Sequence, residues 1–137
     1  MKTYDFAYGH GRKTFDYDEN LVIKEVRTEE FPVMEDVKAG VLDAIYHPIG
    51  SKPINEIVKP GDTVAFICND PTRVANSFDF MPVLVDEMNK LGVKDEDMHI
   101  LFSLGTHRDM THEEMVEAVG ENVASRLKMY NSTCTKQ

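Results

Sequence analysis

Between Met98 and Glu114 the chain reads MHILFSLGTHRDMTHEE. An apolar run breaks at Gly105, presents Thr106, His107 and Arg108, and gives way to a helix start at Thr111. Upstream, a second apolar run, Thr63 to Cys68, ends in Asn69-Asp70-Pro71-Thr72-Arg73. These residue types suit acid–base work on a small anionic molecule. A histidine accepts a proton near neutral pH. An arginine offers a planar fork to a carboxylate or phosphate. An aspartate can orient an imidazole or take a hydroxyl proton. A plainer reading stays open: Asp70 caps a turn, Arg73 and Arg108 form surface ion pairs, and His107 is solvated.

Two strands and a helix must bring these residues together. The run 63–68 has strand length and the continuous apolarity of a central parallel strand covered on both faces. Pro71 forbids its continuation. Phe80, Val83, Leu84, Met88 and Leu91 mark one face of a helix over 79–91, capped near Asp79 or Phe80 with Ser77 outside, so that Pro82 falls in the first turn. Gly92 stops that helix, Lys94 to Asp97 is an acidic loop, and Met98 leads into a strand over 99–103 in which His99 packs at a strand edge. This is a β-α-β unit, so the strands should be parallel and end at one sheet edge. Ligands in open α/β sheets bind beyond the carboxyl ends of strands. Neighbouring strands lie about 5 Å apart, so Asp70, Thr72 and Arg73 should share a crevice with Gly105, Thr106, His107 and Arg108.

The flanks read as support. Residues 3–8 and 13–17 alternate apolar and polar as half-buried strands do, joined by a turn over Gly9-His10-Gly11-Arg12. His10 is exposed at that tip. Leu21 to Val26 is a third strand candidate. Val33, Val37, Val41 and Ile45 predict a helix over 33–46 that stops before Pro48. A loop over 48–53, a helical turn at 54–58 and a turn over 59–62 follow. Thr111-His-Glu-Glu114 is a capping box, with Met110 and Met115 placed for a hydrophobic staple. Gly120 ends that helix, a short helix covers 122–127, and Lys128 to Asn131 begins another strand.

Composition narrows the function. A chain of 137 residues can form one domain with a real core. The net charge of -9, with no cluster of basic residues, argues against nucleic acid. No apolar run has the length of a membrane helix and no signal-peptide core is present, so the cytoplasm is the default. Cys68 and Cys134 are too few for a disulfide framework, and Cys68 reads as a core thiol. There is no GxxxxGK[ST] loop and no GxGxxG fingerprint; Gly9-His10-Gly11 precedes a strand, not a helix. His107 and His112 straddle a helix start with poor metal spacing, so no metal site is expected within these residues.

Three blocks give the chain a likeness. Pro48-Ile-Gly-Ser51, Asn69-Asp70-Pro71-Thr72-Arg73 and Gly105-Thr-His-Arg108 with Thr111-His-Glu-Glu114 resemble, in order and spacing, segments of the nickel-pincer-dependent lactate racemase family, in its N-terminal domain. The last two are similar to the family's S-D-x-T-R and G-x-H-R-x-x-[ST]-x-E-E segments. The resemblance covers most of residues 40–130. With the hairpin read from residues 3–17, the expected fold is α/β and Rossmann-like, a parallel three-layer sheet with an N-terminal β-hairpin. The resemblance implies racemisation or epimerisation of 2-hydroxy acids on a nickel-pincer nucleotide: a histidine takes the hydroxyl proton while the α-hydrogen leaves as a hydride, and a second histidine serves the other face. By position, His107 matches a catalytic histidine and Arg73 the arginine that holds the substrate carboxylate. Arg108 falls with Arg73 on the substrate side and Thr72 on the cofactor side, and Asp70 matches an aspartate of the same loop that would position the cofactor or a neighbouring side chain.

The family's tethering lysine, nickel-binding histidine and second catalytic histidine lie downstream of the matched part, as does its C-terminal domain. The expectation is therefore that residues 1–137 form an incomplete N-terminal domain. Its partners would be a 2-hydroxy acid and the C-terminal remainder of the same protein, and it would be inactive alone. Two rivals stay open: a non-catalytic domain that binds a small anion in the same crevice, and a nickel-free hydrolase or isomerase using His107 and Asp70.

Overall fold

The computed structural model describes residues 1–73 and 75–132, so Cys134 lies outside the described residues. The chain divides into two compact units, Met1–Val33 and Met34–Gln137.

The first unit is a hairpin of β1 (Lys2–Tyr8) and antiparallel β2 (Gly11–Tyr17), paired from Lys2 with Tyr17 to Tyr8 with Gly11. The expected four-residue turn is shorter, because Gly11 and Arg12 already belong to β2 and only Gly9 and His10 form the connection. His10 is exposed there, as expected. Period-2 alternation puts Tyr4, Phe6, Phe15 and Tyr17 on one face. There Phe6 stacks on Phe15 at 5.3 Å and Tyr4 lies 4.4 Å from Tyr17. The strands are not half-buried: most of their residues are exposed. The expected strand over 21–26 is absent. Glu19–Leu21 form a 3-10 turn capped by Asp18, and Val22 to Val26 joins no ladder among the described residues.

The second unit holds a three-stranded parallel sheet in the order β3 (Val64–Asn69), β4 (Met98–Ser103), β5 (Lys128–Asn131). The expected α/β architecture, with a parallel sheet and an N-terminal hairpin, is present. β4 is the middle strand, so β3 is an edge strand and not the central one. On its outward face Ile67 is 64% exposed. His99 stands on the middle strand and meets the Tyr130 ring edge-on at 5.9 Å. On the opposite face Met98, Ile100 and Phe102 are fully buried. Against them pack residues of four-turn α3 (Ser77–Lys90), of α4 (His112–Val119) and of short α5 (Glu121–Ala124): Met81, Val85, Met88, Met115, Val119 and Val123. Each such side chain stabilises the fold by about 1.5–3 kcal/mol relative to exposure.

Helix boundaries moved where a local cap decided them. The helix expected over 33–46 is α1 (Val37–Tyr46), because the Asp36 carboxylate accepts from the Ala39 N–H and starts it there. Ile54–Ile57 form the single turn α2. α3 begins at Ser77, not Asp79, with Asn76 in the left-handed region (φ 49°) as its cap. Pro82 thus lies in the second turn, where it removes one helical hydrogen bond. The buried face of α3 is centred on Met81, Val85 and Met88; Phe80, Leu84 and Leu91 flank it. Gly92 (φ 93°) ends the helix with Val93 N–H bonded to the Met88 carbonyl and Gly92 N–H to that of Asn89. A Cβ at Gly92 would stand 2.9 Å from Pro60, so the position excludes larger residues twice over. The capping box at Thr111 and Glu114 is present, and Met110 and Met115 are buried as a staple requires. The short helix expected over 122–127 is shifted toward the N-terminus as α5.

Candidate active site

β3 and β4 end side by side, with Asn69 paired to Ser103, and deliver their loops to the same edge of the sheet. There His107 Nδ1 lies 3.0 Å from Asp70 Oδ2. The pair spans 37 residues of sequence, so it exists only because the two strands are parallel neighbours.

Asp70 is held by its own loop. Its Oδ1 accepts from the Thr72 N–H at 2.8 Å and from the Thr72 hydroxyl at 2.5 Å. This Asx turn leaves Oδ2 for the imidazole. The two Thr72 hydrogen bonds, and then the nearby His107, pull the Asp70 carboxyl below its ordinary range. The ionised carboxylate only accepts. A neutral His107 must therefore carry its proton on Nδ1, and Nε2 keeps the bare lone pair. The imidazole is 48% exposed and the carboxylate 11%, an arrangement in which a solvent-accessible base is oriented by a sheltered acid.

His107 is set by the turn before it. Gly105 adopts φ 59°, which lets the chain reverse so that the His107 N–H bonds the Leu104 carbonyl at 3.0 Å. Arg108 then grips Glu114 through two hydrogen bonds of 2.9 and 2.7 Å. The guanidinium and the Thr111 N–H together hold the Glu114 carboxyl down to about 2. Arg108 was expected to serve the substrate, but its fork is occupied by the carboxylate that also caps α4.

Arg73 differs. Its backbone N–H closes the turn onto the Asp70 carbonyl at 3.2 Å. Its guanidinium is exposed and makes no ion pair or hydrogen bond among the described residues. Of the two arginines it is the one available to an anion. Thr72 is committed to Asp70. The Pro48–Ser51 loop is largely exposed, with Gly50 at φ 73° and the Ser51 hydroxyl turned to the Lys52 carbonyl. Cys68 is buried, and burial pushes its thiol up, as for an inert core thiol.

Sequence reasoning missed Asn131 and Ser132. The Asn131 amide accepts from the Met110 N–H at 3.2 Å and donates to the Met110 carbonyl at 3.1 Å. The Ser132 hydroxyl accepts from the Leu104 N–H at 3.0 Å, and the Ser132 N–H donates to the Phe102 carbonyl at 2.9 Å. Polar residues at the end of a third parallel strand, at the edge where the other two deliver their loops, were the available signal. Among the described residues no group of three or more His, Cys, Asp or Glu side chains is placed to hold a metal ion.

Residues 8–137 match the lactate racemase N-terminal domain family. The lactate racemase of Thermoanaerobacterium thermosaccharolyticum is 27% identical over 125 residues, which cover 90% of this chain and 29% of that protein. That of Lactiplantibacillus plantarum is 32% identical over 89 residues, covering 64% of this chain and 21% of that protein. The solved structure of the lactate racemase apoprotein from Thermoanaerobacterium thermosaccharolyticum superposes with a TM-score of 0.72 at 24% identity, over 96% of this chain and 30% of that one. The chain thus spans less than a third of the length of these relatives.

Proposed function

The chain belongs to the lactate racemase N-terminal domain family, and from that premise we propose that it is the proton-handling part of a racemase or epimerase of 2-hydroxy acids. The observation that carries this reading is the His107–Asp70 pair at the strand ends, with Arg73, which has no side-chain partner among the described residues, in the adjoining loop. The substrate carboxylate binds Arg73, whose planar fork matches it with two hydrogen bonds. His107 takes the 2-hydroxyl proton on Nε2. Asp70 keeps the ring in the tautomer that can do so and stabilises the imidazolium that results. On return, the imidazolium gives the proton back to the oxygen. Arg108 holds the loop through Glu114 and does not touch substrate.

An α-C–H is only weakly acidic, so moving that hydrogen as a hydride avoids a carbanion. The nickel-pincer nucleotide, when bound, would supply an acceptor for that hydrogen as a hydride. The described residues hold no metal-ligand cluster, so nickel would take its ligands from beyond them. Asp70 and Thr72 would contribute to the cofactor's side only by shaping the loop. The tether, the opposing histidine and the domain that closes the cleft would come from the remainder of a longer polypeptide.

The test is to express the full reading frame with the pincer cofactor supplied and incubate it with single enantiomers of 2-hydroxy acids. Scrambling of at least one acid, lost in His107→Ala, is expected. Loaded protein that converts no enantiomer while still binding 2-hydroxy acids would favour a non-catalytic anion-binding domain.

A further inference from the structure

The seven-residue loop from Leu104 to Met110 carries His107, and both of its ends are tied to adjacent residues of one strand terminus. At the first end the Ser132 hydroxyl accepts from the Leu104 N–H. At the second the Asn131 side chain makes both hydrogen bonds to the Met110 backbone, as a neighbouring strand would. The Ser132 N–H bond to the Phe102 carbonyl continues the β4–β5 pairing one step past β5 and fixes where these groups stand. Both ends of the loop are thus fixed to one strand terminus, and between them Arg108 holds Glu114 and His107 meets Asp70, so the terminus sets where the histidine-bearing turn leaves and rejoins the sheet.

We propose that Asn131 and Ser132 are positioning residues for His107: they hold the loop so that its Nδ1–H meets Asp70. The catalytic meaning of this rests on the role proposed for His107, but the geometric claim does not. Neither residue touches the imidazole. Removing one should therefore leave the core packed and loosen the imidazole from Asp70.

The experiment is nitrogen-15 NMR of the imidazoles in this chain, with Asn131→Ala, Ser132→Ala and Ser132→Thr compared with wild type. In wild type His107 should show a single neutral tautomer with the proton on Nδ1. Asn131→Ala should shift it toward a mixture of tautomers while His99, on the buried middle strand, keeps its signals. Amide exchange at Met110 should rise on the order of tenfold. If Asn131→Ala does not fold, Ser132→Ala reads the same signals, with faster exchange at Leu104. Ser132→Thr, which keeps the hydroxyl, should restore them. A His107 tautomer and an exchange pattern unchanged in folded Asn131→Ala or Ser132→Ala would overturn the proposal. The readout contains no turnover, so a failed racemase assay leaves it standing.

Discussion

The two loops at this edge of the sheet are built in opposite ways. The loop after β4 is bonded at both ends to β5's terminus, tied to α4 by Arg108 and Glu114, and closed by the capping box. The loop after β3 is held mainly by the Asp70–Thr72 turn, runs through a left-handed Asn76, and leaves its arginine head without a partner among the described residues. The first fixes a base to within a hydrogen bond. The second offers a charge on a long side chain. Proton transfer demands close geometry, whereas a carboxylate can be met by a guanidinium that closes on it. The division of labour follows from which loop is constrained.

Substitutions in the two loops should therefore fail differently. In the full-length, cofactor-loaded protein, His107→Ala should lower turnover by about 100- to 10,000-fold with substrate binding retained. Arg73→Ala should cost roughly 10- to 150-fold in kcat/KM, mostly as a raised KM, since it removes charged hydrogen bonds to the substrate. Equal effects of both on KM, measured by steady-state kinetics, would erase the distinction between fixed base and free arm.

Smaller effects test the constrained loop alone. Thr111→Ala removes the N-cap of α4 and should cost ~1 kcal/mol of stability in denaturant unfolding. Glu114 gives a pH dependence. Its carboxyl drops from 4.5 to about 2 on folding, first through Arg108 and then through the Thr111 N–H. A folded value below the unfolded one means that the contribution is complete above pH 4.5 and lost as pH falls toward 2. Glu114→Gln should lower stability near neutrality, where the contribution is complete, and flatten the curve between pH 4.5 and about 2, so that the two proteins converge in acid; thermal melts from neutral to acid pH check this.

How much of this was legible in the sequence depended on range. The hairpin, the β-α-β unit, the capping box and β5 are written in local patterns: period-2 alternation, apolar runs of strand length, and Thr and Glu three residues apart. The shared edge of Asp70 and His107 followed from the chain rule for parallel strands. What was missed is long-range or decided by one side chain. Asp36 and Asn76 set the starts of α1 and α3 against a broader apolar periodicity. Val22, Ile23 and Val26 have strand composition but no ladder to join among the described residues. The bonds of Arg126 to Asp86, Asn89 and Asp95 tie residues 31 to 40 positions apart. No periodicity announces such a clamp, nor that of Asn131 on Met110. Arg73 and Arg108 look equivalent as motif residues; only the fold shows that one has a partner.

The central claim is that Asp70 and His107 act as one proton-handling unit. The direct measurement is a double-mutant cycle on turnover in the full-length, cofactor-loaded protein, with Asp70→Asn, His107→Ala and both together. If the pair is one unit, Asp70→Asn slows the enzyme by itself but adds no more than about twofold to the loss in His107→Ala. Losses that multiply across the two sites would mean that Asp70 and His107 act independently, and the account would be wrong at its centre.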